Sequence, residues 1–125
     1  MTRRVLEYDR AMRELVPLVR TPPDWEPLRE FIAVGEFERV GTFCEVQDWE
    51  QYKEMLTHWA VRTEAFETTV RRTSELSNLV YYEIAERHYR DGSVHAVNTL
   101  TVFEFDAEEK IRHLDVYLQA PSGES

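Results

Sequence analysis

With 125 residues, the chain has room for one hydrophobic core and not for two. Twenty-four Asp and Glu against fifteen Lys and Arg give a formal charge of −9, which excludes the basic footprint that nucleic acid or an anionic membrane demands. Hydrophobic residues at 42% and aromatics at 12% exclude a disordered polymer, and the single cysteine, Cys44, excludes an internal disulfide and a thiolate zinc site.

The first residues carry positive charge but no apolar stretch of the secretory type. No run approaches the eighteen or so apolar residues of a membrane span. The expectation is one cytoplasmic globular domain over 1–125, with the small polar stretch 120–125 as a flexible tail.

Val5, Tyr8, Met12, Leu15 and Val19 recur at steps of three and four, the signature of a helix with one apolar face. Pro17 removes a backbone donor and should kink or stop that helix near Val16. Thr21-Pro22-Pro23 is a stiff break. Asp24 is then a natural N-cap for a short second helix, with Pro27 in its first turn, Trp25, Leu28, Phe31 and Ile32 as its stripe, and Gly35 as a left-handed terminator. The segment 36–45 has the aromatic alternation of a short strand bent at Gly41. Asp48 and Gln51 form a capping-box pair at the start of a third helix. Its face of Trp49, Tyr52, Met55, Leu56 and Trp59 is wide enough to cover a sheet.

From Glu64 the hydrophobic period changes from 3.6 to 2. Four strands are predicted, at 65–73, 79–90, 94–105 and 111–119. Asp91-Gly92 is a two-residue hairpin turn, and the other breaks are short, so consecutive strands must be antiparallel neighbours. Strands this long twist and coil, so the sheet can curl round the helices and leave a cleft at its open end. The fold class is α+β, a cone-shaped curved antiparallel sheet wrapped around three N-terminal helices, in the order α-α-β-α-β-β-β-β.

That order, together with three stretches of sequence, resembles the nuclear transport factor 2-like superfamily of ketosteroid isomerases, scytalone dehydratases, limonene epoxide hydrolases and SnoaL-like polyketide cyclases. Asp24-Trp25-Glu26-Pro27-Leu28 is similar to the family's second helix. Thr101-Val102-Phe103-Glu104-Phe105-Asp106, closed by Lys110-Ile111, is similar to its penultimate hairpin, and 111–117 to its last strand. The resemblance spans roughly 5–119 and implies the cone fold, a hydrophobic pocket, a small hydrophobic ligand and no cofactor. It does not carry over a catalytic set. Arg39 stands where ketosteroid isomerases hold their carboxylate base. Limonene epoxide hydrolases' Tyr and Asn fall on Phe37 and Arg39, their Arg-x-Asp pair on Arg87-His88-Tyr89, and their last Asp on Gln119.

The last strand puts His113, Asp115, Tyr117 and Gln119 on one face and Leu114, Val116 and Leu118 on the other. The resemblance implies that the polar set lines the interior, where Asp115 would be a general base tuned by His113. Alternation alone equally allows that set to meet water while the three aliphatics form the core. In strand 79–90 both faces mix apolar and ionisable residues, which suits a pocket on one side and a homodimer interface on the other. The alternative is surface ion pairing, Arg87 or Arg90 with Glu64 or Glu67.

Tyr89 and Tyr117 are candidate donors to a developing oxyanion, and Arg39 or Arg87 could hold negative charge. Arg39 is equally suited to pairing with an interior carboxylate. Trp25, Phe43 and Gln119 complete the candidate substrate contacts. Trp49, Tyr52 and Trp59 read as core, and Cys44 as a small core hydrophobe. The four histidines lack the spacing of a metal site, and no Gly-rich phosphate loop is present. The function reading is a pocket protein of the SnoaL-like type: a cofactor-free acid–base enzyme (isomerase, dehydratase, cyclase or epoxide hydrolase) or a non-catalytic binding or dimerisation module.

Overall fold

The computed structural model describes residues 1–121. Helix α1 runs over Thr2–Leu15 and ends where Pro17 requires, with Val16 as C-cap. A 3-10 helix follows at Pro22–Phe31. Its N-cap is Thr21 rather than Asp24. Asp24 instead sits one turn in and accepts the backbone N–H groups of Arg20 and Thr21 at 2.9 and 3.0 Å, which holds its carboxyl below the ordinary range. The helix ends before Ala33, and Gly35 has no positive φ, so the expected glycine terminator is absent.

The predicted bent strand resolves into two short ones, β1 (Glu38–Val40) and β2 (Val46–Gln47), paired antiparallel. Their connection carries Cys44 at φ 64, exposed rather than buried. Helix α2 (Trp49–Ala60) starts on the anticipated capping box, with Gln51 N–H donating to Asp48 at 2.8 Å and Asp48 N–H donating to the Gln51 side chain at 2.9 Å.

The meander comprises β3 (Ala65–Leu76), β4 (Leu79–Arg90), β5 (Ser93–Phe105) and β6 (Ile111–Gln119). β3 runs three residues past its predicted end, to a tight turn at Ser77-Asn78. The sheet order is β2-β1-β6-β5-β4-β3, antiparallel throughout except that β1 runs parallel to β6. The curved, unclosed sheet and the three helices give the α+β cone. Asp91 and Gly92 have φ of 49° and 74°, the paired positive values that the shortest hairpins need.

Register assigns every side chain to a face. Val80, Phe103 and Leu114 lie opposite one another across β4, β5 and β6, and all three are buried. They mark the concave face. A bulge between Glu104 and Phe105 lets Ile111 pair with Phe105 while Glu104 pairs with His113. Ile111 and Leu114 therefore both point inward, which strict alternation forbids. Val5, Tyr8 and Phe31 close this end from the helices, with Tyr8 edge-on to Phe31 and Phe103 at 5.9 Å. Burying each such aliphatic or aromatic side chain contributes about 1.5–3 kcal/mol.

Burial then falls along β4 and β6 toward the end of the sheet that carries the Asp91-Gly92 hairpin. On β4 the concave residues Val80, Tyr82 and Ile84 are buried, and Glu86, His88 and Arg90 are half-buried. On β6, Leu114 is buried, Val116 half-buried and Leu118 exposed. The narrow end of the cone is filled. Its mouth lies at the hairpin.

Candidate functional site at the mouth of the cone

The concave face toward the mouth carries a chain of hydrogen bonds through three elements. The Trp59 indole N–H, on α2, donates to Nδ1 of His88 at 3.1 Å. An imidazole nitrogen that accepts carries no proton, so Nε2 is the protonated nitrogen of the neutral ring. Nε2 lies 2.8 Å from Oε1 of Glu86, two residues back on the same face. The other oxygen, Oε2, accepts from the Thr99 hydroxyl on β5 at 2.5 Å. Phe66 and Trp59 flank the His88 ring at centroid distances of 5.0 and 5.5 Å. The Glu86 and His88 side chains are 15% and 18% exposed, sheltered yet reachable.

A cleft of about 440 Å3 lies where β6 ends and leaves β5 unpaired on that side; of its lining, Ala85, Arg87, Ala96, Asn98 and Gln119 belong to the convex face and Glu86 and Val97 to the concave one. A larger cleft, about 740 Å3, opens between Pro17, the end of α2 and the β4–β5 hairpin, and includes Arg90 and His95.

Deeper in, Arg39 lies opposite Leu114 in the parallel pair and so shares the concave face. Its guanidinium carbon is 5.3 Å from the Tyr52 ring centroid, and Nη1 donates to Gln47 at 2.9 Å with Glu45 3.9 Å away. The Tyr52 hydroxyl is 3.1 Å from that of Tyr8. Tyr82 and Thr68 both donate to Oδ2 of Asp9, at 2.6 and 2.7 Å. Burial, foremost, pushes the phenols of Tyr8, Tyr52 and Tyr82 above their ordinary value of 10.0. Arg39 pulls Tyr8 and Tyr52 back toward it, and the Asp9 carboxylate pushes Tyr82 further up.

The sequence-derived candidates divide. Arg39 faces inward, as one reading of it required. His113, Asp115, Tyr117 and Gln119 share a face with Val102 and Leu100, opposite the buried Leu114 and Phe103. They therefore lie on the convex side, contrary to the interior placement that the resemblance implied, and Leu114 and Val116 line the inside. His113 there sits between two carboxylates, Nδ1 3.2 Å from Glu38 and Nε2 2.9 Å from Asp115. Of the four, Gln119 reaches a cleft, the smaller one, at its rim.

Tyr89 and Arg87 also face outward. Both bind the Glu67 carboxylate across the β3–β4 pair, at 2.6 and 3.2 Å, and hold its carboxyl below the ordinary range. This is the surface ion pairing weighed as the alternative reading. Trp25 is fully buried with its N–H on Thr57 at 3.0 Å, so it is core. Phe43, at the β1–β2 turn, is 87% exposed and lines neither cleft. Sequence reasoning passed over Glu86 and His88 as site residues. Their signal was parity, because both fall in step with Val80, Tyr82 and Ile84, the more apolar face of β4. Among the described residues no group of His, Cys, Asp and Glu could hold a metal ion, and no helix is long and apolar enough to cross a membrane.

No family model and no curated protein matches the sequence. Solved structures do match in shape. A proposed SnoaL-like polyketide cyclase from Shewanella denitrificans OS-217 superposes with a TM-score of 0.77 over 94% of this chain and 89% of its own, at 12% identity. An NTF2-like protein of unknown function from Exiguobacterium sp. 255-15 gives 0.69 over 90% and 98%, at 16% identity. A protein of ketosteroid isomerase-like fold from Catenulispora acidiphila DSM 44928, in complex with trimethylamine, gives 0.66 over 89% and 84%, at 16% identity. With its helices, its curved six-stranded sheet and these neighbours, the chain has the fold of the nuclear transport factor 2-like superfamily.

Proposed function

We propose that this protein is a small-molecule pocket protein of the SnoaL-like type that performs cofactor-free acid–base chemistry on a hydrophobic, oxygenated substrate. The observation that carries the reading is the Glu86 carboxylate. It stands half-buried on the concave wall, with its orientation fixed from two sides by His88 and Thr99. A sheltered carboxylate with free lone pairs can take a proton from a substrate carbon or hydroxyl. The negative charge left on the substrate oxygen would be met by the Tyr52 hydroxyl and the Arg39 guanidinium, which neighbour each other deeper in the cone. Glu86 then returns the proton to a second substrate atom, so that isomerisation or loss of water follows with no net change in the protein. Asp115 and His113 have no part in this scheme, because they lie on the other side of the sheet.

A second reading, a non-catalytic ligand-binding or dimerisation module, is favoured by one observation. Arg39 is already engaged by Gln47 and Glu45, and the inner hydroxyls of Tyr8, Tyr82 and Thr68 are bonded within the protein. Under either reading the protein would be a homodimer through the convex face, where Tyr81, Leu100 and Val102 remain half-exposed.

The test begins with thermal-shift screening against sterols, polyketides and terpenoid epoxides, followed by turnover assays on whatever binds. Glu86→Gln keeps the shape and the bond from the His88 ring, presents an NH2 donor to the Thr99 hydroxyl, and loses the base. Turnover should fall by about 10²–10⁴-fold with binding retained. Undiminished turnover in Glu86→Gln overturns the catalytic assignment, and binding without turnover in the unmodified protein supports the module.

A further inference from the structure

The distribution of cations is uneven in a way the acid–base reading does not use. In a chain with this excess of carboxylates, arginines pair with them: Arg10 with Glu14, Arg72 with Glu83, Arg87 with Glu67 and Arg112 with Glu104. The guanidiniums of Arg20, Arg62 and Arg90 have no carboxylate within 4.0 Å among the described residues, and all three residues line the 740 Å3 cleft at the mouth. Arg3 and Arg71 also lack such a partner, but each stands on an exposed surface outside the cleft.

Two of the three guanidiniums are tethered by backbone. Arg20 Nη1 donates to the carbonyls of Val19 and Pro17 at 2.8 and 3.4 Å, and Arg62 Nε to the carbonyl of His58 at 3.1 Å. Cations at helix C-termini are ordinary in themselves. Here the tethers use one nitrogen of each fork and leave the remaining donors unmatched. Arg90 comes from the opposite wall, at the last concave position of β4, half-buried beside Ser93. Two carboxylates, Glu64 and Asp91, share the rim. Glu64 accepts the Gly92 N–H at 3.3 Å. The apolar part of the wall comes from Pro17, Ala60 and Val61.

We infer that this cleft is a binding site for the anionic end, carboxylate or phosphate, of a small amphiphilic molecule whose apolar part rests on Pro17, Ala60 and Val61. Guanidinium forks match both anions in bidentate geometry, and the volume suits a ligand of drug size. The site stands whether or not Glu86 is a catalytic base, because none of its three arginines belongs to that scheme.

Titration calorimetry on the full chain tests it with octanoate, octyl phosphate and octan-1-ol, which share one apolar body and differ in the end group. One or both anions should bind about tenfold or more tighter than the alcohol, and comparing the two tells carboxylate from phosphate. Arg90→Gln and, separately, Arg62→Gln should erase that preference, while Arg71→Gln should leave it. Equal affinity for all three probes, no binding by any, or the same loss in Arg71→Gln would overturn the inference.

Discussion

The indole N–H of Trp59 donates to Nδ1 of His88 across 3.1 Å, and this bond decides which imidazole nitrogen carries the proton. With Nδ1 occupied as an acceptor, the Nε2 proton points at Glu86. A helix thus orients the candidate base on the sheet through one histidine. Trp59→Phe keeps the ring against Phe66 and deletes the donor. We expect a loss of about 0.5–1.5 kcal/mol in denaturant unfolding, together with a change in the His88 ring 15N shifts away from the single tautomer. Unchanged 15N shifts would show that Trp59 does not select it.

Alkaline titration should find three tyrosines that resist ionisation. Burial raises the pKa of Tyr8, Tyr52 and Tyr82 above the ordinary 10.0. In the native state these phenols hold their protons where the unfolded chain begins to lose them. Their contribution to stability is therefore complete below about pH 10 and is lost as the pH climbs from there toward the native values. In ultraviolet titration these three should ionise only with the loss of near-ultraviolet circular dichroism, and their ionisation in the still-folded protein would refute the burial argument.

Much of the fold could be read because its signals are local. Pro17 stops α1, Asp48 and Gln51 start α2, and Asp91-Gly92 turns the central hairpin, each through a constraint on its own backbone. The limits of β4 and β6 follow from period-2 runs bounded by such breaks. The site was harder, because the face of a strand depends on its neighbours. On β6 the tyrosine at 117 and the leucine at 118 are both apolar enough to line a core, and the bulge that turns Ile111 and Leu114 the same way leaves no mark in the strand's alternation. Glu86 and His88 look like surface residues until register puts them in line with Val80 and Tyr82. Phe43 and Cys44 illustrate the converse. Their chemistry suggests burial, but a turn with Cys44 at positive φ carries them into solvent.

Helix α2 presents Tyr52 and Trp59 to the sheet, so its start matters to the site. Asp48→Ala removes the acceptor for the Gln51 N–H and breaks the reciprocal pair. The expected cost is about 1 kcal/mol by chemical denaturation. Asp48→Ser, which caps equally well, should recover most of it. Failure of serine to restore stability would mean that the aspartate acts through its charge rather than as a cap.

The convex face yields the last prediction. Tyr81 lies opposite Val102 and Leu100 opposite Tyr117 in the register of β4, β5 and β6, a half-exposed apolar patch bordered by Glu83, Asp115 and His113. A charge placed in its centre meets no partner when two copies meet there, and burying it unpaired is strongly unfavourable. Val102→Glu should therefore convert a dimer to a monomer in sedimentation velocity at micromolar concentration. The concave face has no share in that contact, so Val102→Glu should bind octanoate as the unmodified protein does. A protein that is monomeric without the substitution, or a Val102→Glu variant that remains dimeric, would rule out this face as the interface.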